Sequence, residues 1–446
     1  MSSEIRVSIP NSLNEYWMPF TSNRDFKSNP RLITEAKGVY FKDHLGRSQI
    51  DASSGLFCNP LGHGRKEIIK AITDQLEKLD FCQPFQQGFG GSFELATKIS
   101  RHTPGNLNKI FYTICGSTAV ETAIKIGIAY HKAKGHGHRY RFVGREKAYH
   151  GMNIGATTLG GMINNIKTFS SVLMPGVLHM RHTMLPEHKF VKGQPETGAE
   201  LADDLERFAI NFGAENIAAC IVEPISGSVG TLVPPKGYLQ RLRQICDKHG
   251  ILLIFDEVIT GWGRTGSSFA AVEYGVTPDI MTMAKATTNG IVPMGVVAVK
   301  EEIYDTITQS SPDGAIEFFH GYTYSGIPIA VAAALAVQDI FEKEDIFARA
   351  KKLSPYFLDG LFSLKDISVI DNIRGYGMMG GIDIRPKDRP GKAGLQCFKA
   401  CYDVGVNFKA TGDCLIVAPP FVCEKKHIDE IIEKMRKGIT AYSKHN

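Results

Sequence analysis

Two apolar runs end in groups that could do chemistry together. Ile251-Leu252-Leu253-Ile254-Phe255 is followed by Asp256-Glu257, and Ile280-Met281-Thr282-Met283-Ala284 is followed by Lys285. Runs of this kind predict parallel strands buried on both faces. In an open α/β sheet, ligands sit beyond the carboxyl ends of the strands, so a carboxylate and an amine would face one crevice. Each residue also has an ordinary reading. A lysine after a strand serves as a solvated cap, and Asp-Glu commonly opens a loop. Downstream of Lys285, Asn289-Gly290 and Pro293-Met294-Gly295 predict a tight, shaped loop.

An amine on one strand end and an acid on another are what pyridoxal phosphate (PLP) requires: a lysine to hold its aldehyde and an aspartate to partner its ring nitrogen. The other needs of that cofactor recur nearby. Gly116-Ser117-Thr118 lies between a predicted strand at 109–115 and a predicted helix at 119–133. Free N–H groups and the helix dipole there would favour a phosphate, with Ser117 and Thr118 adding hydroxyls. A plain Ser/Thr N-cap would look the same. Tyr149-His150-Gly151 follows the next strand, where Tyr149 could stack on a flat ring or equally belong to the core. Glu223 ends a further strand, either as a contact near the ring or as a solvated cap. Val258 is stiff and β-branched, suited to clamp a ring face or to fill a core. Singly these signals are weak. Together they fall on successive strand ends and cover phosphate, stacking, acid and amine functions.

Positioning such a set takes alternating strands and helices. Further strands are predicted at 140–143, 218–222, 252–255, 280–283 and 296–299, which implies an α/β protein with a mostly parallel sheet. An amphipathic helix is predicted over 68–79, with Ile68, Ile69, Ile72, Leu76 and Leu79 on its apolar face. Gly38–Phe41, turning through Asp43–Arg47, reads as a hairpin. After Pro328 a long apolar helix at 329–341 leads into an α+β segment of shorter strands. With 446 residues, more than one core is expected. The division is 1–65, an N-terminal segment packing with the small domain; 66–325, the large domain carrying the strand-end chemistry; and 326–446, a smaller C-terminal domain.

Apolar residues are 43% and charged residues 22%, an ordinary globular balance. A net charge of +5 over this length argues against nucleic acid as a partner. Nine cysteines without a CxxC pattern predict reduced thiols in a cytoplasmic protein. The opening Met1–Arg6 has no apolar leader, and no stretch reaches the ~20 apolar residues of a membrane span. No metal is expected: there is no HExxH, and His136-Gly137-His138 lies in a basic loop.

Seven segments carry a resemblance over nearly the whole chain. They are Trp17-Met18-Pro19-Phe20-Thr21, Gly116-Ser117, Tyr149-His150-Gly151, Val222-Glu223-Pro224, Phe255–Gly261, Gly263-Arg264-Thr265-Gly266 and His320–Gly326. On these the chain resembles the class III (ω-amino acid) PLP-dependent aminotransferases of fold type I. The Trp-Met-Pro-Phe-Thr opening and Pro104-Gly105-Asn106-Leu107-Asn108 resemble in particular the β-alanine (ω-amino acid):pyruvate aminotransferases. The resemblance implies a seven-stranded, mostly parallel sheet with a smaller α+β domain. It implies transfer of an amino group from a small-molecule amine donor to a keto acid, pyruvate being the acceptor the resemblance suggests, by a ping-pong route. Lys285 and Asp256 would be catalytic. Gly116, Ser117, Thr118, Tyr149, His150, Glu223 and Val258 would hold the cofactor with them. It further implies a homodimer or tetramer with shared active sites. There Thr323 would reach the neighbouring cofactor phosphate, Trp17, Phe57 and Tyr149 would line the substrate pocket, and Phe85 would come across from the other subunit.

The sequence also departs from that family. An arginine that usually grips the substrate carboxylate is replaced by Lys409, a point charge without the bidentate fork. Lys409 could still bind a carboxylate, could leave that role to another residue and another acceptor, or could simply be exposed. The usual Ser-Gly-Ser-Glu reads Cys115-Gly116-Ser117-Thr118, a pocket tryptophan is Phe57, and the glutamine after Glu-Pro is absent from Glu223–Gly227. These changes leave the amine donor open. A PLP-dependent aminomutase or a decarboxylating transaminase would keep the same lysine and aspartate. A regulatory module of this fold would be expected to lack the lysine or carry a DNA-binding domain.

Overall fold

The computed structural model describes residues 9–387 and 389–444. The N-terminal segment forms three antiparallel strands, β1 (Ile33–Lys37), β2 (Tyr40–Asp43) and β3 (Ser48–Asp51). The expected hairpin is the β2–β3 pair, and the Asp43 carboxylate closes its turn by accepting from the N–H groups of Leu45 and Arg47.

Seven strands build the central sheet: β4 (Lys109–Thr113), β5 (Arg141–Arg145), β6 (Leu178–Met180), β7 (Ile217–Val222), β8 (Leu252–Asp256), β9 (Ile280–Met283) and β10 (Gly295–Val299). Their order is β4-β10-β9-β8-β7-β5-β6. Only β10 among them runs against its neighbours, and the remaining pairings are parallel. The mostly parallel, seven-stranded α/β sheet is therefore present as expected. Every residue of β7 to β10 is buried, which is why those segments read as continuous apolar runs rather than alternating ones. Alternate side chains serve two cores. Ile221, Ile254, Ile280 and Val297 cluster with Ala119, Val120 and Ala123 of the helix Gly116–Ala133. Val222, Leu253, Phe255 and Met281 belong to the larger core, with Leu242 of the helix Tyr238–His249 and Val331 of the helix Pro328–Lys343.

The C-terminal part holds β11 (Ile370–Tyr376), β12 (Met379–Ile384), β13 (Val406–Asn407), β14 (Lys409–Thr411) and β15 (Cys414–Val417). Four of these form an antiparallel sheet in the order β11-β12-β15-β14. β13 instead pairs in parallel with β3, Val406 opposite Ile50 and Asn407 opposite Asp51. The chain thus changes sheets at Phe408, and Lys409 is the first residue delivered to the antiparallel sheet.

Three details differ from the sequence reading. The C-terminal strands are shorter at β13, β14 and β15, with two, three and four residues, but β11 has seven. β6, with three residues, is too brief for a periodic signal. The helix Lys66–Lys78 packs on the helix Pro328–Lys343 and buries Ile68, but Ile69, Leu76 and the following Leu79 are exposed.

Candidate active site

Register brings the chemistry to one edge. Val222 pairs with Phe255, Phe255 with Met281, and Asp256 with Thr282, so β7, β8 and β9 end together. Glu223, Asp256 and Lys285 emerge there, at the carboxyl end of the sheet. Lys285 sits at φ +48°, in the left-handed region that a non-glycine residue rarely adopts. Such a conformation persists only where its surroundings enforce it. Here the turn Lys285–Thr288 is tied down at both ends. Thr287 Oγ1 donates to Ala284 O at 2.9 Å and accepts from the indole of the buried Trp262 at 3.0 Å. Asn289 accepts from Leu61 N–H at 2.9 Å and donates to Gly62 O at 3.0 Å.

A cavity of about 980 Å³ opens over this edge, lined by Lys285, Asp256, Glu223, Tyr149, His150, Gly116, Ser117, Val258, Phe57 and Lys409 among others. The Asp256 carboxylate is buried and held from three sides: His150 Nδ1 at 2.7 Å, Thr282 Oγ1 at 3.1 Å and the Val258 N–H at 3.2 Å. Glu223 accepts from the Tyr149 N–H at 3.0 Å and the Gly227 N–H at 2.9 Å, so it fixes the path of the loop carrying Tyr149. Burial pushes the Glu223 carboxyl above its ordinary range. Burial also pulls the Lys285 amine below the usual lysine range, opposed by the charge of Asp256. For Lys409, burial and then repulsion from Lys285 bring the amine down to about 8. Lys409 Nζ lies 5.7 Å from the centre of the Phe57 ring and 3.4 Å from Ser228 O.

Gly116, Ser117 and Gly151 line the same cavity. Gly116 opens an 18-residue helix whose first N–H groups have no partner within it. A Cβ at Gly116 would stand 3.1 and 3.2 Å from the two Val258 methyls, and one at Gly151 (φ +117°) would stand 2.4 Å from Ser117 Oγ. Glycine is needed at position 151, while a side chain at 116 would crowd Val258.

The profile of the class III aminotransferase family matches residues 21–439. The chain belongs to that family. It is 46% identical over 429 residues to the omega-aminotransferase of Caulobacter vibrioides, covering 96% of this chain and 97% of that one. It is 43% identical over 440 residues to the beta-alanine–pyruvate aminotransferase of Pseudomonas aeruginosa, covering 97% of each. Among solved structures, the omega transaminase of Pseudomonas jessenii in complex with PMP superposes with a TM-score of 0.92 at 30% identity, covering 97% of this chain and 98% of that one.

Class III aminotransferases depend on PLP, and the cavity of this aminotransferase fits that cofactor: an amine, a carboxylate and the start of a helix face one space. Ten of the fourteen residues singled out from the sequence line it. Four do not. Thr118 turns back onto its own helix start, where its hydroxyl donates to Cys115 O and accepts from the N–H groups of Ile114 and Cys115. Trp17 is 87% exposed, Phe85 is exposed beside Gly321, and Thr323 is exposed. Lys409 is partly buried on the cavity wall, which removes the option that it is simply exposed. Sequence reasoning missed Phe20, Cys58, Met162 and Ser228, which also line the cavity. Phe20 lies within the Trp-Met-Pro-Phe-Thr motif, which was the available signal. The others come from loops with no periodicity.

Proposed function

We propose that this aminotransferase carries an amino group from an ω-amino acid or amine resembling β-alanine to pyruvate, in two half-reactions. One observation carries the reading: the Lys285 amine, the Asp256 carboxylate and the Lys409 amine line the same cavity. The names of the relatives, which specify β-alanine, ω-amino acids and pyruvate, support the choice of substrates.

Bound PLP supplies an electrophilic aldehyde and a ring that takes up the electrons of a broken C–H bond. The protein supplies the rest. Lys285 Nζ, less basic than an ordinary lysine because it is buried, takes a proton from the substrate carbon and returns it. Asp256, with three donors fixing its orientation, holds a proton on the ring nitrogen. Gly116 and Ser117 would hold the phosphate, while Tyr149, His150 and Val258 would surround the ring and Glu223 would keep Tyr149 in place. Lys409 would bind the carboxylate of the acceptor, with Phe57 beside it to receive the apolar part.

The working unit in this reading is a homodimer or tetramer in which Phe85 and Thr323 complete the site of a neighbouring subunit, with Trp17 lining the substrate pocket. Its support is apolar surface left open on one chain: Ile69, Leu76, Phe81, Phe93 and Tyr324 are all exposed. Nine free thiols support a cytoplasmic setting. The pairing of β3 with β13 supports a division into 1–65, 66–325 and 326–446 in which the first segment travels with the last. The test is a half-reaction of the holoenzyme followed by absorbance against a panel of amines. β-Alanine-like donors should change the cofactor spectrum, and pyruvate should restore it. No change with any amine, or restoration without a keto acid, overturns the reading.

A further inference from the structure

A guanidinium outside the cavity grips both elements that surround Lys409. The strap from Glu223 to Thr231 leaves β7 and presents Ser228 O to Lys409 Nζ at 3.4 Å. Two residues further on, Gly230 O accepts from Arg374 Nε at 2.7 Å. Arg374 stands on β11 and forks onto Asp383 of β12 at 2.5 and 2.9 Å. Its Nη2 also lies 3.5 Å from Cys414 Sγ on β15. β15 is the strand that registers Lys409: Thr411 pairs with Cys414, and Lys409 with Ile416. One side chain therefore links the strap to the strand that carries Lys409.

The approach is close enough to need glycine. A Cβ on Gly230 (φ +120°) would lie 2.6 Å from Arg374 Nη2, and one on Gly381 would lie 2.3 Å from Gly230 O. Arg374 is 7% exposed. An ion pair that only stabilised the β11–β12 pairing would be complete with Asp383 and would need no third arm to a loop leaving another sheet. The fork matters here, because guanidinium directs several donors at fixed angles where an ammonium cannot.

We infer that Arg374 is a positioning residue for carboxylate recognition: it sets where Ser228 O and the Lys409 amine stand relative to each other, and so selects acceptors that carry a carboxylate. This rests on the proposed role of Lys409. The experiment compares pyruvate with propanal, an uncharged acceptor of similar size, in steady-state kinetics of the holoenzyme at a fixed amine donor. Arg374→Lys should raise KM for pyruvate about tenfold, the scale of one displaced charge-assisted contact, and leave kcat and the propanal parameters within about twofold. Asp383→Asn, which loosens the fork without removing it, should act the same way by about threefold. It decides the matter if Arg374→Lys does not fold. Arg374→Lys added to Lys409→Ala should produce no further rise. Parallel loss of pyruvate and propanal turnover, or an unchanged KM for pyruvate in both single variants, overturns the proposal. Lys409→Ala separates the two failures. If it leaves KM for pyruvate unchanged, the reading of Lys409 falls and this inference with it. If it raises KM while Arg374→Lys and Asp383→Asn do not, only this inference falls.

Discussion

The two walls of the cavity are held in different ways. On the wall formed by β7, β8 and β9, Asp256 has three hydrogen-bond donors, Glu223 has two, and the strained turn of Lys285 is fixed by Thr287 and Asn289. On the facing wall, Lys409 comes from a three-residue edge strand and has one 3.4 Å contact to a backbone oxygen. Phe20, on the same cavity, is 72% exposed. In the proposed mechanism the groups that would hold or move a proton are over-determined by the central sheet. The group proposed to bind the acceptor carboxylate is placed indirectly, through the Arg374 link between β15 and the strap 223–231. One wall is held by direct contacts to its functional groups, the other through a neighbouring strand and strap.

The comparison breaks first at its rigid side. Lys285→Ala should lower kcat/KM on the order of 10⁴-fold and abolish the visible absorbance of covalently held cofactor, since it removes both attachment and proton transfer. A variant that keeps activity and spectrum would show that the sheet edge is not where the reaction occurs. Asp256→Asn should cost on the order of 10²–10³-fold in kcat, because the carboxylate acts through its charge and its amide replacement has none. Its circular dichroism should match the parent, as the donors around Asp256 can still reach an amide oxygen. An unchanged kcat would remove its charge from the mechanism.

This contrast also explains what could be read from the sequence. Asp256 ends β8, Glu223 follows β7, and Lys285 and Tyr149 lie two and four residues past β9 and β5, so adjacency in sequence became adjacency in space once the strands were recognised. The same reasoning recovered the central sheet, because strands buried on both faces write themselves as continuous apolar runs. It could not find the bond between His150 and Asp256, whose partners are 106 residues apart, or the bolting of Asn289 onto Leu61 and Gly62, 228 and 227 residues away. Neither pairing leaves a periodic trace. The exposure of Ile69, Leu76 and Leu79 was equally hidden, since an amphipathic pattern marks an apolar face without saying what covers it.

The indirectly held wall gives smaller, selective effects. Lys409→Ala should raise KM for the proposed acceptor pyruvate about ten- to a hundredfold, the cost of one charge-assisted contact, with little change for an uncharged aldehyde. The sign of its pH dependence follows from burial. The amine is lowered to about 8, and only its protonated form attracts a carboxylate. KM for pyruvate should therefore rise as pH passes upward through about 8. Lys409→Arg keeps its charge at any accessible pH, so the alkaline rise should disappear. An alkaline rise that persists in Lys409→Arg would assign it to another group.

The smallest effect distinguishes a binding role from a capping role at Thr118. Its hydroxyl already donates to Cys115 O and accepts from two backbone N–H groups, as the reciprocal cap of the helix that begins at Gly116. A hydroxyl so engaged has little left to offer a phosphate. Thr118→Ala should cost about 1 kcal/mol of stability, the typical loss for a removed cap, seen as a lower urea midpoint of the holoenzyme. Cofactor affinity should change by less than about threefold, because the N–H groups of Gly116 and Ser117 remain in place. A larger loss of affinity at unchanged urea midpoint would transfer Thr118 from the helix cap to the cofactor, and the rigid wall would then include one more direct contact.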